Sequence, residues 1–205
     1  MQILIRSKTG IMLTEALVAV ATLTIAIIAL GTIINNSLST LTVSRDYLIA
    51  ENLLVEAEEV VEIVRDSNWL IVPSKKECWL TLDPLTNIGR ELDQINCGPF
   101  DTNSNYIPVF ENNHWLLKNN GLAALNLSPQ NAETLNQYRI LLRQTGNLTE
   151  YKQGIDSNEK SKFYRSINFS DPTDGEVANF EVKIQWLDGQ KARTIKATVV
   201  LNNQL

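Results

Sequence analysis

The chain has 205 residues, 44% hydrophobic and 20% charged, with a formal net charge of -5 and a sequence pI near 5.0. That length fits one compact domain of about 100–150 residues plus a membrane segment. No basic field favours nucleic acid or anionic lipid, so nucleic acid is not an expected partner; DNA binding would need a local patch that the composition does not show.

The first element is apolar. Ile11 to Ile34 covers 24 positions, of which thirteen are Leu, Ile, Val or Met and five are Ala. As a helix it is about 36 Å long, against a hydrocarbon core of about 30 Å. Between Lys8 and Arg45 the only charged side chain is Glu15. Each large aliphatic residue favours insertion by about 0.3–0.6 kcal/mol, whereas a central carboxylate opposes it by roughly 2.5–3.5 kcal/mol, and by less near the end of a span. Insertion therefore wins despite Glu15, and the lipid bilayer is an expected partner. Arg6 and Lys8 precede the span, while Arg45 and Asp46 offset each other beyond it. The positive-inside tendency then puts the N-terminus in the cytoplasm and everything after about residue 35 outside. A cleaved secretory signal fits poorly, because the apolar run continues straight into a further helical pattern.

Gly10 ends a short basic leader, and Ile11-Met12-Leu13-Thr14-Glu15-Ala16-Leu17-Val18-Ala19 follows it. This stretch resembles the N-terminal cleavage and methylation motif of type IV pilins and type II secretion pseudopilins. The resemblance implies cutting by a prepilin peptidase after Gly10, with Ile11 as the new and N-methylated terminus. Ile11 stands where the family commonly has Phe. The family's Glu, here Glu15, is thought to pair with the N-terminal amine of a neighbouring subunit during filament assembly. The other reading of Glu15 is a carboxylate snorkelling to the headgroups from the first turns of the helix. Major pilins of the family often carry a Pro within the span, and here the first Pro is Pro73. That departure favours a minor pilin or pseudopilin over a bulk filament subunit.

Residues 44–66 keep a helical period. Leu48, Ala50, Leu53, Leu54, Ala57, Val60, Val61 and Val64 recur at three- and four-residue steps and should pack on a folded domain. Glu51, Glu56, Glu58, Glu59, Glu62 and Arg65 read as the solvated face. Asn68, Pro73 and Ser74 end the helix.

From residue 73 to about 135 the pattern is irregular. Cys78–Leu82, Tyr106–Phe110 and His114–Lys118 look like short strands, the last two forming a hairpin closed by Asn112-Asn113. Cys78 and Cys97 lie in this region. Export would favour a disulfide between them, and two separate buried thiols are the other reading.

The C-terminal part reads as strands. The segment Asn179–Asn202 is a strong hairpin: Phe180, Val182, Ile184 and Trp186 alternate with Glu181, Lys183 and Gln185. Leu187 to Gln190 turns the chain, and Ile195, Ala197, Val199 and Leu201 line one face of the return strand.

No metal site and no cofactor are expected. His114 is the only histidine, which leaves no conventional zinc cluster or Ser-His-Asp triad. The acidic loops at Asp101–Tyr106 and Asp171–Glu176 read as turns first, without the full ligand pattern of a calcium loop.

The expected fold class is α+β, a pilin-like fold with a long N-terminal helix packed on a C-terminal antiparallel sheet. Its segments are a leader at 1–10, a transmembrane and filament-core helix at 11–34, an amphipathic helix at 35–68 and an extracytoplasmic domain at 69–205. The resemblance implies a non-enzymatic minor pilin or pseudopilin of the bacterial inner membrane, displayed on the cell surface after assembly. Its implied partners are the prepilin peptidase, other pilin subunits and an inner-membrane assembly platform. The alternative is a signal-anchored membrane protein with an outer ligand-binding domain.

Overall fold

The computed structural model describes residues 9–72, 78, 81, 97, 104–111, 113–119, 124–145, 148–152, 159–170 and 177–202. The leader residues 1–8, the acidic loop 171–176, residues 101–103 and Asn112 lie outside the described residues. One helix, α1 (Thr9–Ile71), is followed by strands β1 (Asn105–Glu111), β2 (His114–Asn119), β3 (Arg139–Thr145), β4 (Leu148–Lys152), β5 (Glu159–Ser170), β6 (Val177–Asp188) and β7 (Lys191–Asn202). The chain divides into two compact units, residues 1–47 and 48–205.

The first unit consists of helix among its described residues. Its aliphatic side chains from Leu13 to Leu41 stand about 57–67% exposed, so they have no core of their own. Among the described residues α1 is the one helix long and apolar enough to cross a membrane, with a mean hydropathy of 2.6 over an 18-residue window. Five of its threonine hydroxyls are satisfied locally. Thr22, Thr24, Thr32, Thr40 and Thr42 donate to carbonyl oxygens three or four residues back, at 2.7–3.1 Å. Such back-bonding lets a polar side chain sit in hydrocarbon without an orphaned donor.

The second unit has the expected α+β arrangement, with residues 48–71 of α1 packed on an antiparallel sheet. β5 is the centre of that sheet. It pairs with β6 along one edge, and with β1 and β3 at different points along the other. β2 extends β1, β4 extends β3, and β7 extends β6. The β6–β7 hairpin keeps its register over all twelve pairs from Val177↔Asn202 to Asp188↔Lys191. Gly189 opens its two-residue turn at φ 60°, a left-handed angle that a side chain would disfavour. The β1–β2 hairpin closes through Glu111↔His114, with Asn113 in the left-handed region at φ 66°.

The strand pleat separates two cores. Phe163, Arg165, Ile167 and Phe169 of β5 share a face with Trp186, Ile184, Val182 and Phe180 of β6, through direct cross-strand pairs. All eight are buried, on the face where Ala50, Leu53, Ala57, Val60, Val61 and Val64 of α1 are buried too. Each large apolar side chain removed from water there contributes about 1.5–3 kcal/mol. Tyr164 points the other way and joins Ile107, Val109, Leu125, Leu127, Ala132 and Tyr138 in a second cluster. The segment 124–138 thus straps the face of the sheet away from α1.

Three sequence expectations need correction here. Leu48 is 61% exposed and not part of the buried stripe, because its direction is nearly opposite to that of Ala57. Cys78 is not in a strand: the Thr81 amide and hydroxyl both donate to its carbonyl oxygen, at 3.1 and 3.0 Å, closing a tight turn. Gln185, in the polar alternation of β6, is 7% exposed, because the 124–138 strap covers it.

Candidate functional site

The residues singled out near the N-terminus all fall on α1. The backbone at Gly10 and Ile11 is helical, and the Ile11 side chain is not among those described. Glu15 is exposed on the same helix, beside a shallow depression that it lines with Thr14, Val18 and Ala19. Ile11 and Glu15 are four positions apart, so their backbones stand about one turn, roughly 6 Å, apart along the axis. An amine created at Ile11 would therefore lie one turn from its own Glu15 carboxylate. Among the described residues Glu15 makes no hydrogen bond or ion pair, in a stretch where the Thr22, Thr24 and Thr32 hydroxyls are satisfied by the backbone.

Cys78 and Cys97 are joined in a disulfide with Cα atoms 4.7 Å apart and a sequence separation of 19. Cys78 is buried in the turn that meets the end of α1. Asn68, itself 2% exposed, donates Nδ2–H to the Thr81 carbonyl oxygen at 2.9 Å. The last turn of the helix is thereby tied to the disulfide-bearing segment.

The acidic face of α1 is less uniform than its sequence suggests. Glu56 is half-buried, and its Oε1 lies 3.5 Å from Nη1 of Arg165. Arg165 has no exposed side-chain surface, and the same Nη1 donates to the Leu53 carbonyl oxygen at 3.2 Å. Burial disfavours its charged form and pulls its pKa down, and Glu56 pushes in the opposite direction. Sequence reasoning missed this pair, although a signal was present. Phe163, Arg165, Ile167 and Phe169 alternate along β5, so the arginine occupies a core-facing slot in an apolar row.

On the far face of the sheet, polar contacts hold the strap. Gln185 accepts from the Leu127 amide at 2.8 Å through Oε1 and donates to Thr194 Oγ1 at 2.8 Å through Nε2. Lys183 donates to the Leu125 carbonyl oxygen at 3.3 Å. The Tyr164 hydroxyl donates to the Ala132 carbonyl oxygen at 3.0 Å and accepts from Arg139. Arg139 also pairs with Glu133 at 3.3 Å, and Lys160 reaches the same carboxylate at 3.5 Å. Together these cations hold Glu133 below the usual carboxylate range.

His114 begins β2, next to Trp115, whose ring meets Phe110 edge-on at 5.2 Å. Among the described residues no group of three or more His, Cys, Asp or Glu side chains is placed to hold a metal ion. No family model, curated protein or solved structure matches the chain.

Proposed function

We propose that this chain is a structural subunit of a filament, a minor pilin or pseudopilin of a type IV pilus, type II secretion or competence-like system. It is held in the membrane by the first unit of α1 before assembly. A prepilin peptidase cuts after Gly10, Ile11 becomes the mature terminus, and Glu15 is the contact that sets subunit register. The outer unit then faces away from the cytoplasm, where its disulfide persists.

The observation that carries this reading is Glu15 itself. It is an exposed carboxylate with no intramolecular partner among the described residues, one turn after Ile11 in a helix otherwise suited to hydrocarbon. A charge in that setting is costly unless something pairs with it, and an amine one turn away in register supplies the partner.

Mass spectrometry or Edman sequencing of the membrane-extracted protein tests the reading. The expected mature N-terminus is Ile11, carrying a methyl group. An intact Met1 in cells with an active prepilin peptidase would overturn the proposal and leave a signal-anchored membrane protein. Glu15→Ala should insert normally yet fail to enter filaments; normal incorporation would remove Glu15 from the assembly role.

A further inference from the structure

The face of α1 turned away from the sheet is not simply polar. Leu48, Val55, Ile63 and Leu70 are 61%, 48%, 44% and 84% exposed. At 3.6 residues per turn they fall within about 80° of one another, opposite the buried stripe. Glu51, Glu59 and Glu62 stand among them, all exposed, and none forms an ion pair among the described residues. Glu62 also crowds Glu58, whose pKa is raised first by burial and then by that neighbouring charge.

β7 has the complementary character. It contains Lys191, Arg193 and Lys196 and no carboxylate. Among the described residues it pairs with β6 alone, so its other side is a sheet edge. Thr194, Lys196, Thr198 and Val200 form an exposed row, with Val200 57% exposed. Arg193 and Lys196 hold Asp188 and Glu181 at 3.0 and 2.8 Å. Such surface pairs contribute at most about 1 kcal/mol and exchange readily for another carboxylate.

We propose that the acidic, apolar stripe of α1 in one copy of this chain docks against β7 of a second copy. Two such stripes facing each other would bring Glu51, Glu59 and Glu62 of both copies together, and like charges oppose that arrangement. Stripe against β7 brings opposite charges together and gives Val200 an apolar partner. Val55 and Glu62 are about 10 Å apart along the helix, and Val200 and Lys196 about 13 Å along the strand. The flexible lysine stem spans the difference. Made head to tail, the contact leaves each copy one unused surface of each kind and so extends from copy to copy. In that sense it deepens the filament reading, on which it rests.

The test uses the full chain in detergent micelles, with two differently tagged copies and co-purification as the readout. Glu59→Lys with Glu62→Lys should weaken self-association about fivefold or more, and Lys196→Glu with Thr198→Glu, both in the exposed row of β7, should do the same. All four substitutions in one chain should restore it, because the complementary charges are then exchanged. The restored variant also shows that the altered surfaces still fold. Unchanged self-association after the β7 reversal would overturn the proposal, since contact between two stripes leaves β7 unused. Failure of the four-fold variant to recover would also overturn it. The N-terminus of the same samples is read separately. An uncut chain that shows the charge-exchange rescue would remove the filament reading and leave this contact standing.

Discussion

The guanidinium of Arg165, fully buried on β5, meets the half-buried carboxylate of Glu56 on α1 at 3.5 Å. The two residues are 109 positions apart in sequence, and the contact joins the helix to the centre of the sheet. Removing one partner of a buried pair strands the other, whereas replacing the buried charge by an apolar side chain of similar shape removes the desolvation cost as well. Glu56→Gln should therefore destabilise the second unit by about 3 kcal/mol, and Arg165→Met by less than about 1 kcal/mol. Denaturant titration of the full chain, followed by tryptophan fluorescence, compares the two. Equal losses for both variants would show that packing around Arg165, and not its charge, sets the cost.

The disulfide gives a second expectation. Closing the 19-residue separation between Cys78 and Cys97 restricts the unfolded chain, a contribution of about 3 kcal/mol in the chain-entropy account. Cys78→Ser with Cys97→Ser should lower the unfolding midpoint accordingly, and reductant should reproduce the loss in the parent chain. A midpoint insensitive to reductant would show that the closed loop carries no stability.

Gln185 offers a local test. Its side chain satisfies the Leu127 amide, and Gln185→Leu leaves that buried donor unmet, at a cost of about 1–3 kcal/mol. Hydrogen exchange at Leu127 and its neighbours should accelerate, while the β6–β7 ladder stays protected. Unchanged exchange in the strap would mean that its apolar cluster holds it without this bond.

Two carboxylates give pH dependences of opposite sign. Glu58 is raised, by burial and by Glu62, so the folded form binds its proton more tightly and stability falls as pH rises through its folded pKa. Glu58→Gln should thus stabilise at pH 7 by roughly 0.2–0.5 kcal/mol, the value of a relieved i, i+4 like-charge pair. That gain should vanish below the carboxylate range. Glu133 is lowered by Arg139 and Lys160, so its contribution is present above the unfolded pKa and lost as pH falls through the folded one. Glu133→Gln should accordingly cost stability only above the carboxylate range. Unfolding midpoints measured across pH 3–8 would separate the two signs, and a matching response in both variants would contradict the assigned environments.

What was legible in the sequence was periodic. The apolar run, the amphipathic run and the β6–β7 hairpin each repeat a pattern over ten residues or more, and the structure forms them as helix and as paired strands. Where the local pattern was short, distant partners decided. Leu48 fits a three- and four-residue spacing with either face of the helix, and only the position of the sheet assigns it to solvent. Glu56 looks like every other glutamate on its helix until Arg165 arrives from 109 residues away. Gln185 is an ordinary outward polar residue in its strand, but the strap closes over it from more than fifty residues upstream. At Glu15 the residue type and its place after Gly10 raised the question directly, because a charge in an apolar run is informative without any tertiary contact.

The Arg165 contact also solves a problem of alignment. A helix resting on a sheet through Ala50, Leu53, Ala57, Val60 and Val64 presents much the same small aliphatic profile after sliding by one turn, about 5.4 Å. A slide in one direction would set Val60 beside the guanidinium in place of Glu56. A slide in the other would set Asn52 there. Either leaves a cation without its anion in the driest part of the unit, so of three nearly equivalent seats only one is occupied. Arg165 works as a detent, turning a sliding fit into a single stop.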